Sequence, residues 1–206
     1  MSQLKPSILA GLIGAGIQGS RTPAMHEREG DAQGMRYVYR LIDLDQLKLD
    51  SSALPDLLTA AQCMGFTGLN ITFPCKQAII SLLDELSEEA RGIGAVNTVV
   101  LKDGKRIGHN TDCLGFAEGF RRGLPNVACD HVVQMGAGGA GAAVAHALLS
   151  EGVRQLSIFD VEAERAQALA DNLNHHFGFG RAQVGRDLPA VMAVADGLVN
   201  TTPMGM

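Results

Sequence analysis

A chain of 206 residues, 46% of them hydrophobic and 19% charged, is long for one domain and short for two. It has enough apolar content to bury a proper core, which excludes disordered and fibrous classes. The net charge of −5 comes without any basic block, so neither nucleic acid nor an anionic membrane is an expected partner. No apolar run approaches the roughly 20 residues needed to span a bilayer. The start, MSQLKPSILAGLIGAG, passes into polar SRT without a small-residue cleavage pattern, so a signal peptide is not expected. Cys63, Cys75, Cys113 and Cys129 form no C-x-x-C pair and stand apart from spaced histidines. They read as reduced thiols of a cytoplasmic protein, not as a disulfide set or a zinc site. The adjacent His175 and His176 read as solvated residues near a helix end, and no metal is expected.

Short β-type runs alternate with helical patterns along the chain. ILAGLIG (8–14) is a predicted strand, and YVYRLID (37–43) another. In ALPDLLTAAQCMG, apolar residues at 54, 57, 58, 61 and 64 give one helical face closed by Gly65. FTGLNIT (66–72) is a third strand, and PCKQAIISLLDEL (74–86) a helix with Pro74 at its start. AVNTVVL and RIGHN flank Lys102-Asp103-Gly104-Lys105, where the Asp-Gly pair predicts a hairpin. The first half is therefore expected to carry a mixed sheet. TDCLGFAEGFRRGL (111–124) is a helix able to connect two domains, with the boundary near 112–125. Beyond it come strand HVVQM (131–135), a glycine turn and helix (136–152), strand QLSIFD (155–160), a helix over 162–177, a short helix in DLPAVMAVAD, and strand GLVNTTP. That β-α-β order predicts a parallel sheet.

HVVQMGAGGAGAAV contains Gly136, Gly138 and Gly141 as G-x-G-x-x-G, directly after a strand and opening an alanine-rich helix, the context this motif requires. Gly136 permits the tight turn, Gly138 lets backbone N–H groups approach a pyrophosphate, and Gly141 lets helix and strand pack closely. The bland alternative is a glycine-rich turn without a ligand. Asp160 ends the next strand, where a carboxylate accepts from ribose hydroxyls and repels a 2′-phosphate. Glu162 and Glu164 follow, and the nearest arginine is Arg165. The cofactor expected is NAD, with NADP disfavoured. Asp160 also suits an N-cap for the 162–177 helix.

Polar residues crowd the strand ends of the first half: Ser20 and Thr22 in GSRTP, Asn70 and Thr72, Lys76, Asn97, and Asn110-Thr111-Asp112. In open α/β sheets ligands sit outside the carboxyl ends of strands, and hydroxyls and amides suit a polyhydroxylated small molecule. Each residue also has a plainer reading: Ser20 and Thr22 as caps of a helix from Pro23, Asn97 as a partner for backbone, Lys76 as a surface lysine, Asp112 as an N-cap.

Together these stretches resemble the shikimate/quinate dehydrogenase family. GLIGAGIQGSRTPAMHE, GLNITFPCKQ, GAVNTVV, GHNTDCLGF, GAGGAG and NTTPMGM occur in the family's order across nearly the whole chain. The resemblance implies an α/β fold: a mixed-sheet substrate-binding and catalytic domain at 1–112, then a Rossmann-type NAD-binding domain at 113–206. It implies Lys76 and Asp112 as the catalytic pair, Ser20 and Thr22 as substrate-carboxylate hydroxyls, and Thr72, Asn97 and Asp112 as partners of the ring hydroxyls. The expected cofactor set is Gly136, Ala137, Gly138, Gly139, Ala140, Gly141, Asp160 and Thr201. Ser20-Arg21-Thr22 and Asp160-Val161-Glu162 replace the Ser-x-Ser and Asn-Arg-Thr usual in biosynthetic shikimate dehydrogenases. Both changes resemble the NAD-dependent, generally catabolic quinate/shikimate branch, acting as monomer or homodimer on quinate or shikimate. Family members continue for several tens of residues past TTPMGM, so a truncated cofactor sheet with an uncovered apolar strand is expected. A free lysine has a pKa of about 10.4; a helix N-terminus and partial burial would lower it for base duty, and Asp112 would oppose that. Either Lys76 is the base, or it orients while Asp112 shares the proton. A non-catalytic NAD- or metabolite-sensing homologue, and a folate-linked dehydrogenase of similar layout, are the competing readings.

Overall fold

The computed structural model describes residues 5–204, which divide into two compact units. One holds the residues up to Ala90 with Val96–His109; the other holds Arg91–Ala95 with the residues from Asn110 onward.

In the first unit β1 (Ser7–Gly14) leads to α1 (Thr22–Ala32), β2 (Arg36–Asp43), the single turn α2 (Leu44–Leu47) and α3 (Leu54–Cys63). Then come β3 (Gly68–Ile71), the single turn α4 (Cys75–Ala78), β4 (Glu85–Leu86), α5 (Glu88–Ile93), and the hairpin β5 (Thr98–Lys102) and β6 (Lys105–His109). Among the described residues the sheet order is β2-β1-β3-β5-β6-β4. β1 runs parallel to β2 and β3, while β3–β5 and β5–β6 are antiparallel, so the sheet is mixed, as expected. One face packs Ile13 with Leu54, Leu58, Leu69, Ile71, Cys75, Ile79 and Val99. The other gathers Ala10, Leu12, Ile17 and Tyr39. Burial on both faces is why β1 reads as a continuous apolar run, not an alternating one. Gly65 ends α3 in the left-handed conformation, φ +79°, as its predicted C′ role demands. Asp103 and Gly104, at φ +53° and +78°, form the type I′ turn that Asp-Gly favours.

The helix predicted over 74–86 does not form as one helix. After the single turn α4 comes a 3₁₀ turn, Ile80–Leu82, and then β4, which pairs with β6. The Asp84 N–H donates to the Arg106 carbonyl, and Asp84 Oδ2 accepts from the Arg106 N–H at 2.8 Å. Leu83 and Leu86 fill the space over Gly108, where a Cβ would meet them at 2.5 and 2.8 Å. Edge pairing overrides the helical spacing of the leucines.

In the second unit α6 (Asp112–Gly123) precedes β7 (His131–Met135), α7 (Gly139–Ser150), β8 (Gln155–Phe159), α8 (Ala163–Phe177), β9 (Ala182–Val184), α9 (Leu188–Met192) and β10 (Gly197–Asn200). Their order is β10-β7-β8-β9, all parallel. The core joins Val132, Leu156 and Ile158 of the sheet to Leu148, Leu169 and Leu173, with Cys113 and Ala117 from α6. β9 is too short to carry a pattern, and the sequence reading passed it by. Among the described residues β10 pairs on one side only, and its Leu198 is 55% exposed. Cys75 is buried in the first unit's core and Cys113 in the second's, while Cys63 is exposed. Among the described residues, no group of three or more His, Cys, Asp or Glu side chains is placed to hold a metal, and no helix is long and apolar enough to cross a membrane.

Candidate active site

The turn between β1 and α1 is organised by Asp43, the last residue of β2, which is 3% exposed. Its Oδ1 accepts from the Gly16 and Asp45 N–H groups, each at 3.1 Å; its Oδ2 accepts from the Ile17 N–H at 3.1 Å and Gln18 Nε2 at 3.0 Å. Burial works to raise this carboxyl. The bonds from Gln18, Asp45, Gly16 and Ile17 outweigh it and hold Asp43 below the usual carboxylate range. The anchored turn delivers Ser20 and Thr22. Ser20 Oγ donates to Thr22 Oγ1 at 2.9 Å and accepts from the Thr22 N–H at 3.2 Å. Helix α1 starts with Thr22 and Pro23, and the residue before it, Arg21, makes no side-chain cap. The predicted capping is thus reduced to the Ser20–Thr22 N–H bond. Two touching hydroxyls beside a helix's first turn suit an anionic oxygen.

Thr72, Lys76 and Asn97 leave one backbone-locked patch. The Thr72 N–H donates to Ile13 O at 2.9 Å, and the Ala15 N–H to Phe73 O at 2.9 Å, so the exits of β1 and β3 are joined. Gly14 is required there, because a Cβ would lie 2.2 Å from Thr72 Cγ2. The Ile71 N–H donates to Asn97 O, and the Val96 N–H to Lys76 O, both at 2.8 Å. Asn97 is buried; Thr72 and Lys76 are half-buried. Since α4 has only four residues, its first and last turns coincide. α4 therefore offers no distinct helix N-terminus to oppose the Lys76 charge.

One residue of this region escaped the sequence reading. Tyr39, 4% exposed, donates its hydroxyl proton to Asn70 Oδ1 at 2.6 Å. Asn70 Nδ2 donates to Thr98 Oγ1 at 3.1 Å, and Thr98 Oγ1 to Asn97 Oδ1 at 3.0 Å. The available signal was chemical: a buried tyrosine hydroxyl needs a partner, and Asn70 in a buried strand needs one too.

In the second unit Asp112 is the first residue of α6, not its cap. Asn110, 3% exposed, does the capping: its Oδ1 accepts from the Asp112 and Cys113 N–H groups at 3.0 and 3.3 Å, and its Nδ2 donates to Ala95 O at 2.9 Å. The glycine loop follows the sequence logic closely. Gly136 has φ +100°, and a Cβ on Gly141 would lie 2.4 Å from Gly136 O, so both positions exclude a side chain. Over Gly138 a Cβ would meet nothing within 4 Å, and the first-turn N–H groups of α7 have no intrahelical acceptors. An open, side-chain-free approach to those donors fits a dinucleotide pyrophosphate. Ala137 is buried; Gly139 and Ala140 open the helix. Asp160 Oδ2 accepts from the Ala137 N–H at 2.7 Å and Oδ1 from the Glu162 N–H at 2.9 Å. Glu162, not Asp160, is the residue that precedes α8 as its cap position. Thr201 Oγ1 shares its one proton between the carbonyls of Met135 and Gly136, at 2.8 and 3.0 Å. Gln134, fully buried and unremarked in the sequence, braces the same loop through Nε2 to Gly136 O and Gly141 O at 2.9 and 3.0 Å.

Residues 12–99 match the family model described as shikimate dehydrogenase substrate binding domain. A shikimate dehydrogenase (NADP(+)) of Pseudarthrobacter chlorophenolicus is 54% identical over 100% of this chain and 71% of its own length. A quinate/shikimate dehydrogenase (NAD(+)) of Corynebacterium glutamicum strain R is also 54% identical, over 98% of this chain and 73% of its own. The solved structure of quinate dehydrogenase from Corynebacterium glutamicum in complex with NAD superposes with a TM-score of 0.88 at 53% identity, covering 98% of this chain and 73% of that one. With that level of identity across both units, the chain belongs to the shikimate/quinate dehydrogenase family of nicotinamide-dependent oxidoreductases.

Proposed function

We propose that this chain is an NAD-linked quinate/shikimate dehydrogenase, with substrate held by residues 1–112 and NAD by 113–206. The observation that carries the cofactor choice is the carboxylate of Asp160, hydrogen-bonded to the N–H of Ala137 in the glycine loop. Glu162 and Glu164 follow, and the nearest arginine, Arg165, donates to Glu162 Oε2 at 2.9 Å. A 2′-phosphate brought here would face carboxylates, whereas ribose hydroxyls would find acceptors. The NADP reading has its own support, since relatives named for NADP are as similar as those named for NAD.

NAD, when bound, supplies the hydride acceptor. The chain's own residues do the rest. Ser20 and Thr22 bind the substrate carboxylate. Thr72, Asn97 and Asp112 orient the ring hydroxyls. Lys76 and Asp112 handle the proton of the reacting hydroxyl, either with Lys76 as base or with Lys76 orienting while Asp112 shares the proton. Gly138, Gly139, Ala140 and Gly141 present backbone donors to the pyrophosphate; Gly136 and Ala137, whose N–H groups go to Phe159 O and Asp160 Oδ2, form the turn below them, and Thr201 and Gln134 fix the shape of that loop. Initial rates of the full chain with quinate and with shikimate, each with NAD and with NADP, test the reading. NAD is expected to lead in kcat/KM by at least about tenfold, 1.4 kcal/mol, and Asp160→Asn to narrow that lead. A lead for NADP, or a preference untouched by the substitution, overturns the cofactor assignment. No turnover in any combination favours the sensing homologue.

A further inference from the structure

We propose that Tyr39 is a positioning residue for substrate specificity, setting the amide orientation of Asn97 through the hydrogen-bond relay Tyr39–Asn70–Thr98–Asn97. This rests on the reading of Asn97 as a partner of the substrate's ring hydroxyls.

The relay lies on the sheet face opposite the Ile13 core. β2 turns Tyr39 toward α1, where His26 stacks on its ring with centroids 4.6 Å apart. The Tyr39 N–H donates to Glu27 Oε1 at 3.1 Å. On β1 the residue in register with both Tyr39 and Gly68 is Ala10, and its small side chain leaves the phenol a path across β1 to Asn70. The ring is thus clamped from the helix side, and the hydroxyl has one destination.

The direction of donation follows from counting protons. Asn70 Oδ1 can only accept, so Tyr39 donates. That turns Asn70 Nδ2, which can only donate, toward Thr98 Oγ1. A hydroxyl carries a single proton, and the proton of Thr98 passes on to Asn97 Oδ1. The far end of the Asn97 amide is then an N–H donor. It selects a substrate oxygen that accepts, as a ring hydroxyl does. Without the Tyr39 hydroxyl, the Asn70 amide is held against turning over by its Nδ2 bonds alone, to Thr98 Oγ1 at 3.1 Å and, more weakly, to Asn97 O at 3.5 Å, and turning it over changes no shape. Its Oδ1 would then draw the Thr98 proton back, and Asn97 would lose the donor that orients it. Burial, with Tyr37 beside it, pushes the Tyr39 phenol well above its ordinary value, so the first proton of the relay stays in place through neutral pH. The same clamp explains why His26 and Glu27 belong with Ser20 and Thr22 in SRTPAMHE: they tie the helix that follows the hydroxyl pair to the residue that orients the amides.

The test compares the full chain with Tyr39→Phe, Thr98→Val and Thr98→Ser, reading kcat, KM for the ring substrate, KM for NAD and thermal midpoints. Thr98→Val is isosteric and suits a strand, so it carries the test should Tyr39→Phe unfold. Tyr39→Phe and Thr98→Val are each expected to raise substrate KM about tenfold, the weight of one well-made hydrogen bond. The double variant is expected to do no worse than either single one, because they break the same relay. Thr98→Ser, which keeps the hydroxyl, is expected to stay near wild type, and KM for NAD to stay fixed throughout. Unchanged substrate KM in Tyr39→Phe, additive losses in the double variant, or an equal rise in KM for NAD overturns the relay while leaving the dehydrogenase reading intact. Absence of turnover in the wild-type chain overturns both.

Discussion

Lys76 is the residue on which the proposed chemistry turns. Its backbone is fixed by the Val96 bond and its side chain is half-buried at the exit of β3. Lys76→Ala is expected to lower kcat by at least about 10²-fold, the low end for a group that handles a proton. Steady-state and single-turnover rates check it, and a wild-type-like kcat would take Lys76 out of the mechanism. At this scale the sequence was most informative where a side chain stands at a strand end. Thr72, Asn97 and Asp160 stand next to strand ends, and Ser20 and Thr22 at the end of the turn that follows β1. The sequence was least informative about which neighbour a polar residue serves. Asn110 reads as part of a polar cluster and is the buried cap of α6; for Asp112 a cap is the plainer alternative to its catalytic reading, and it stands as the first residue of the helix. Tyr39 read as one more strand residue, because nothing in its own neighbourhood names a partner 31 residues away.

Elements were legible where local chemistry and burial agree. α3, α6 and α8 carry a helical period, β1 its continuous apolar run, α7 the glycine turn that opens it, and the β5–β6 turn Asp-Gly. Gly104 shows how local that last signal is. Its φ is +78°, and a Cβ there would meet nothing within 4 Å, so Gly104→Val tests the backbone alone. It is expected to destabilise the protein by about 1–2 kcal/mol, the strain of a left-handed L-residue, with KM values unchanged. The urea midpoint reads it. Residues 74–86 show the opposite case. Their leucines fit a helix, yet Leu83 and Leu86 are needed over Gly108 and Asp84 is needed on Arg106. Those contacts are long-range, and no window of sequence contains both partners. β9 failed for a simpler reason, since three residues carry no period.

Stability across the whole molecule depends on groups far from the proposed chemistry. His146 in α7 packs beside His176 and Phe177, and both its ring nitrogens are buried without hydrogen-bond partners. Burial first, then His176, lowers its pKa to about 4. The unfolded chain holds that proton up to about pH 6.5, so stability is complete above that value and falls as pH drops toward 4. After allowance for the ring's partial exposure, the loss is on the order of 1–2 kcal/mol. Denaturation curves at pH 7.5 and 4.5 measure it, and His146→Phe is expected to flatten the difference. Each unit has a core that encloses a buried cysteine: Cys75, whose thiol burial pushes up to about 11, in the first, and Cys113 in the second, where Cys129 packs only partly buried against the outside. The chain thus contains its own pair of clocks. In native buffer a thiol reagent will label Cys63 at once, while Cys75 and Cys113 wait for their surroundings to open. Mass spectrometry of the labelled peptides over time then gives two separate opening rates, one for each half of the molecule, with no probe added to the sequence.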